Sequence, residues 1–222
     1  LRRRVEAGVL ELHRICVASC RLLPSVRNVN ILKQRQEIKG ELFPKEYSGD
    51  FPLSHYGTRY FKDALLCLTA TAQAKALVKK RFPHPYVTIT MRASEAWSNR
   101  NSDTKAWLEA EKFLYERGFR VVLVRDTNDP RANIFSWDID MRLALYEGAA
   151  MNLGVNNGPM ALMYCSKAPY MTFKMIAKDT HVASAEFLRA HGMNEGDQFG
   201  TNGTVHWCDD TAENIINALK QW

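Results

Sequence analysis

The run Phe119-Arg120-Val121-Val122-Leu123-Val124 is apolar at every position but one. A half-solvated strand alternates polar and apolar residues, so a run of this kind belongs in a sheet covered on both faces. The flanking sequence agrees. Tyr86-Val87-Thr88-Ile89-Thr90-Met91, Met151 to Val155, Tyr170 to Met175 and Val205 to Trp207 read as further strands, with helical patterns between them. The first helix starts at a Ser102 or Asp103 cap, carries Trp107, Ala110 and Leu114 on one stripe, and stops at Gly118. Others are expected over Met141 to Gly148, from the turn at 156–160 to about Lys167, and over Ser184 to His191. A last one is expected over Thr211 to Trp222, where Asp210 and Glu213 stand at capping-box spacing. This alternation predicts an α/β fold with a parallel sheet and helices on both faces.

Residues 1–82 read differently. A helical period over Arg2 to Leu23 is stopped by Pro24, Val26 to Leu32 reads as a short strand, and Pro44, Gly49 and Pro52 break the polar stretch after it. A long helix is expected from about Tyr56 to Arg81, ended by Pro83 and Pro85. The expected organisation is a mostly helical N-terminal region, 1–82, and an α/β domain, 83–222. The chain opens on Leu1 and runs straight into Arg2, so its natural N-terminus is expected further upstream.

With 46% hydrophobic and 24% charged residues, the 222-residue chain has the composition of a globular protein with a sizeable core. Its net charge of +6 would suit a phosphate-bearing substrate or no particular partner at all. The basic runs Arg2-Arg3-Arg4 and Lys79-Lys80-Arg81 do not alternate with aromatics, and no nucleic-acid module is visible, so no nucleic-acid partner is expected. The five cysteines are scattered, with no CxxC pair and no zinc spacing. That usage fits a reducing compartment, and a cytoplasmic location is expected. No apolar run reaches the ~18 residues of a membrane span. Peripheral membrane contact is left open.

In an open parallel sheet, ligands bind beyond the carboxyl ends of the strands. Arg92 follows the first strand, Arg125 and Asp126 the second, and Asn156-Asn157-Gly158-Pro159-Met160 the third. In that turn the asparagines suit capping positions, Gly158 permits close backbone approach, and Pro159 is pre-set for the first helical turn. The free amides that follow would suit a phosphate. Helix capping alone would use the same residues. Asp126, Asp129, Asp138 and Asp140 could serve as bases, ribose partners or caps, and neither Glu147 nor His181, His191 and His206 shows a spacing that pairs it.

Three absences narrow the chemistry. There is no G-x-G-x-x-G after the first strand, no G-x-x-x-x-G-K-[ST], and no G-x-S-x-G. A nicotinamide or flavin site, a P-loop nucleotidase and a hydrolase elbow are therefore not expected. Neither is a metal site or a cofactor.

With these parts in this order, Tyr86 to Ile176 resembles the C-terminal, nucleotide-sugar-binding half of GT-B glycosyltransferases. Its pattern is similar to that of the ADP-heptose:lipopolysaccharide heptosyltransferase group. The resemblance rests on the strand Phe119 to Val124 and on Asn156-Asn157-Gly158-Pro159-Met160, which matches a family turn of the form (Asp or Asn)-x-Gly-Pro-Met. The arginine ending the first strand also resembles that of fucosyltransferases of the same fold. Two departures stand out. Ala161 occupies a position where the heptosyltransferases usually carry His, and residues 1–82 are too few for a complete first GT-B domain.

The resemblance implies a Rossmann-like domain that binds a nucleotide-sugar donor and transfers its sugar to a hydroxyl of a glycan or other acceptor without a metal. Arg92, Asn156, Asn157, Gly158, Pro159 and Met160 would hold the donor diphosphate, with Arg125 and Asp126 near the nucleotide or sugar. The family places the catalytic base in its N-terminal domain, and no residue here is assigned that role. A sugar-nucleotide epimerase of the same fold and a non-catalytic nucleotide-binding or scaffold domain are the alternatives.

Overall fold

The computed structural model describes residues 18–24, 26, 29, 68–95, 97–190, 194–196 and 203–222. The helix expected before Ala18, most of the strand expected over Val26 to Leu32, the helical turns expected over Tyr56 to Cys67, and His191 lie outside the described residues.

Within them, β1 (Tyr86–Thr90), β2 (Arg120–Val124), β3 (Met151–Val155), β4 (Tyr170–Phe173) and β5 (Gly203–Val205) form one sheet. Their order is β2-β1-β3-β4-β5, and every neighbouring pair is parallel. The helices are α1 (Ala18–Arg21), α2 (Ala72–Arg81), α3 (Thr104–Glu116), α4 (Ile134–Trp137), α5 (Ile139–Gly148), α6 (Ala161–Tyr164), α7 (Ala185–Ala190) and α8 (Ala212–Gln221).

Two apolar clusters sandwich the sheet. One joins Val87, Ile89, Leu153 and Phe173 to Trp107 and Leu114 of α3 and to Ile215 and Leu219 of α8. The other joins Tyr86, Val124 and Tyr170 to Val78 of α2, Phe135 of α4, Leu143 and Tyr146 of α5, and Met163 of α6. Val121 and Leu123 pack on the first cluster, Val122 and Val124 on the second. Cover on both faces is the reason the strand carries apolar residues without alternation. Each fully buried side chain of the Leu153 kind contributes about 1.5–3 kcal/mol.

Polar side chains inside the sheet have partners, as burial requires. The Thr88 hydroxyl donates to Asn152 Oδ1 at 2.6 Å, and Asn152 Nδ2 donates to the carbonyls of Tyr146 (2.9 Å) and Pro169 (2.7 Å). The hydroxyls of Thr90 and Tyr146 lie 2.8 Å apart.

Several boundaries differ from the sequence expectation. The helix expected through residues 68–71 begins only at Ala72, after an extended Thr71 whose side chain accepts from the Ala74 amide. Carboxylates on α5 hold the preceding backbone out of helix: Asp140 accepts from the Thr71 amide (2.8 Å) and hydroxyl (2.7 Å), and Glu147 accepts from the Thr69 hydroxyl and the Ala70 amide, both at 3.0 Å. The last helix is capped by Thr211, which accepts from the Asn214 amide, leaving Asp210 for another task. The helix expected to reach Lys167 ends at Tyr164, and the last strand is Gly203–Val205 rather than Val205 to Trp207.

Leu22, Ala74 and Val78 share a cluster with Tyr86 and Tyr146, so described residues of 1–82 bury their side chains on the sheet domain. Among the described residues no helix is long and apolar enough to cross a membrane.

Candidate anion-binding site

The strand order reverses between β1 and β3, which places a crevice at their carboxyl ends. Arg92 follows β1 there and Asn156 follows β3.

The segment after β1 is a closed loop. The Arg92 amide donates to the Ser102 hydroxyl at 2.9 Å, and the Ser102 amide returns to the Arg92 carbonyl at 3.0 Å. Within it, Asn101 Oδ1 accepts from the Arg92 guanidinium and from the Ser94 amide, while Asn101 Nδ2 donates to the Ser94 carbonyl. Arg92 Nη1 also donates to the Trp97 carbonyl at 3.1 Å.

Neighbouring strand ends tie this loop down. From β2, Asp126 Oδ2 accepts from the Ala93 amide at 3.2 Å. From β3, the Asn156 carbonyl accepts from Arg100 Nη2 at 3.0 Å. After β4, Lys174 Nζ donates to the Asn101 carbonyl at 3.0 Å, and Asn99 Nδ2 donates to Thr180 Oγ1 at 3.1 Å and to the Lys178 carbonyl. Beneath the loop, the buried Asp210 accepts from the Asp103 amide (2.7 Å) and the Trp107 indole (2.8 Å), and pairs with Lys174 at 3.1 Å. Three donors on one carboxylate are what hold an ion in an otherwise apolar interior.

The turn after β3 is built locally. Asn157 Oδ1 accepts from the Met160 amide at 3.1 Å, capping a single 3-10 turn, Gly158–Met160, that leads into the one-turn α6. Pro159 stands early in that turn, as its fixed φ favours. Met160 is fully buried. A Cβ at Gly154 would meet its sulfur at 2.9 Å and the Thr90 carbonyl at 3.0 Å, so a glycine there lets β1, β3 and the turn close up. A Cβ at Gly158 would meet nothing within 4 Å, and Gly158 and Pro159 line a cleft of about 620 Å³ with Thr127, Trp137, Asp138 and Arg142.

The loop carrying Arg92 and the turn are thus joined at one sheet edge, Arg100 to the Asn156 carbonyl, while neither arginine lines the cleft beside Gly158 and Pro159. Arg125 is engaged with Asp129 at 3.2 Å; Arg131, bonded to Asp129 at 3.0 Å, and to a smaller extent Arg125 hold the Asp129 carboxyl well below its ordinary range. Asp126 serves the Ala93 amide, Asp138 caps α5, and His206 stacks on Phe173 with ring centroids 4.7 Å apart.

Arg100 was not among the residues the sequence singled out. It is half-buried, and among the described residues no carboxylate lies within ion-pairing distance of it. Burial first, and then the positive charge of Arg92, push its guanidinium below its ordinary pKa. A half-buried guanidinium with a second positive charge near it is a group that an anion would stabilise. Arg100 lies within a polar loop, and its pairing with Asn156 spans 56 residues, so no local pattern marks it.

Comparison with known proteins gives no match to any family model, curated protein or solved structure.

Proposed function

We propose that this chain is the donor-binding part of a metal-independent glycosyltransferase that uses a nucleotide-activated sugar. The observation that carries the reading is the half-buried Arg100, uncompensated by a carboxylate among the described residues and set beside Arg92 over the Asn156 turn. The parallel sheet supplies the crevice, and the open face of Gly158 supplies close backbone access. In this reading the bond between the sugar's anomeric carbon and the diphosphate breaks as a bond to the acceptor oxygen forms, and the acceptor hydroxyl gives its proton to a base that the family resemblance puts in an N-terminal domain. The electron pair leaves on the diphosphate, where the guanidiniums of Arg92 and Arg100 stabilise it beside the open backbone at Gly158. Arg125 and Asp126 flank the crevice as nucleotide or sugar contacts. The acceptor is a glycan or another hydroxyl compound.

Calorimetry with nucleoside diphosphates tests this. A diphosphate should bind, and Arg100→Ala should weaken it at least tenfold, the equivalent of about 1.4 kcal/mol, with little change in melting temperature. Binding that survives in both Arg92→Ala and Arg100→Ala, or no binding by the wild-type protein, would overturn the reading. Turnover of a nucleotide sugar without acceptor would point instead to an epimerase, and binding without turnover to a non-catalytic domain.

A further inference from the structure

Among the described residues, the three non-glycine positions with positive φ are Trp97 (52°), Lys174 (53°) and Asp179 (59°), all in loops after β1 and β4. Such a conformation is strained for a non-glycine residue and persists only where the surroundings over-determine it. For Lys174 the compensation is visible, because its ammonium reaches Asn101 and Asp210.

Trp97 is different. Its carbonyl accepts from Arg92 Nη1 at 3.1 Å and from the Arg100 amide at 3.0 Å, so its backbone is pinned between the two arginines. Its side chain is 62% exposed, the highest value among the large apolar side chains described, and it joins neither core cluster. A left-handed backbone thus presents an indole that is mostly exposed and packs on neither core cluster. Large aromatic surface left in water beside an anion site is what a planar ligand ring would cover.

We propose that Trp97 is a stacking platform for the base of the nucleotide whose diphosphate is held by Arg92 and Arg100. This rests on the donor-binding reading above and adds where the nucleoside lies. Because every base has a π face, the contact supplies affinity and leaves base choice to other groups.

The experiment compares inorganic pyrophosphate with ADP, GDP and UDP, by calorimetry, on the wild-type protein and on Trp97→Phe, Trp97→Ala, Trp97→Asn and Arg100→Ala. The wild type should bind at least one nucleotide about 5- to 150-fold more tightly than pyrophosphate, the span expected of one stacked base. Trp97→Ala should erase that margin while changing pyrophosphate affinity by less than about twofold, and Trp97→Phe should keep most of it. Trp97→Asn removes the ring but suits the left-handed backbone. It should behave as Trp97→Ala does with no loss of melting temperature, separating stacking from loop collapse. Arg100→Ala should weaken pyrophosphate and nucleotides alike. If the margin survives in Trp97→Ala and Trp97→Asn while Arg100→Ala weakens binding, stacking is overturned and donor binding stands. If neither pyrophosphate nor any nucleotide binds the wild type, both fall.

Discussion

The turn after β3 is capped from within, by Asn157, whereas the loop after β1 is tied further to β2, β3, β4 and the segment before α8. Asn157 reaches three residues ahead to the Met160 amide. Asp210 reaches back 107 residues to the Asp103 amide, and Lys174 reaches 73 residues to the Asn101 carbonyl. The difference teaches where rigidity comes from in this crevice. A self-capped turn keeps its shape at a modest cost in residues, while a loop carrying two arginines draws on its own Asn101 and Ser102 and on a partner from every adjoining strand end.

That contrast can be broken from its strongest support downward. Asp210→Ala should cost about 3–5 kcal/mol, because it leaves the Lys174 ammonium and the Trp107 indole without their buried acceptor. Chemical denaturation would measure it. Amide exchange should rise in 92–103 more than in 156–160, and equal rises in both would show that the loops are not independently held.

Asn101→Ala comes next, at about 1–2 kcal/mol, because the site is part-solvated and the freed donors gain some water. It should also weaken diphosphate binding by freeing Arg92 from its Asn101 contact. Unchanged binding would mean that the guanidinium does not depend on that contact. Asn157→Ala should have the smallest effect, about 1 kcal/mol for a lost cap, with diphosphate affinity nearly kept. A loss of affinity as large as that of Arg100→Ala would shift the site from the β1 loop to the β3 turn.

The same contrast explains what could be read from the sequence. Met151–Val155 was expected at its observed bounds, and Gly118, at φ 83°, follows α3 as the residue suited to that conformation. Both signals lie within a turn's length of the feature they announce. Asp210 and Glu213 stand at capping-box spacing in the sequence, yet Thr211 takes the cap and Asp210 turns inward to Trp107. The stretch at 68–71 reads as helix in the sequence because Ala70 and the two threonines beside it carry no mark of the α5 carboxylates that hold them. The turn at 156–160 was visible for the reason Gly118 was, and Arg100 stayed hidden for the reason Asp210 did. Half of the candidate site is thus written locally, and half exists only once the sheet has brought distant segments together.

The position of Asp210 also sets an order of events in time. During synthesis, Arg92 and Arg100 emerge long before the carboxylate that anchors the start of α3 beneath their loop. The sheet's first strands can collapse on α3 early, but the anchor beneath the start of α3 arrives only with residue 210, so a chain interrupted before it carries both arginines on a loop that lacks this tie.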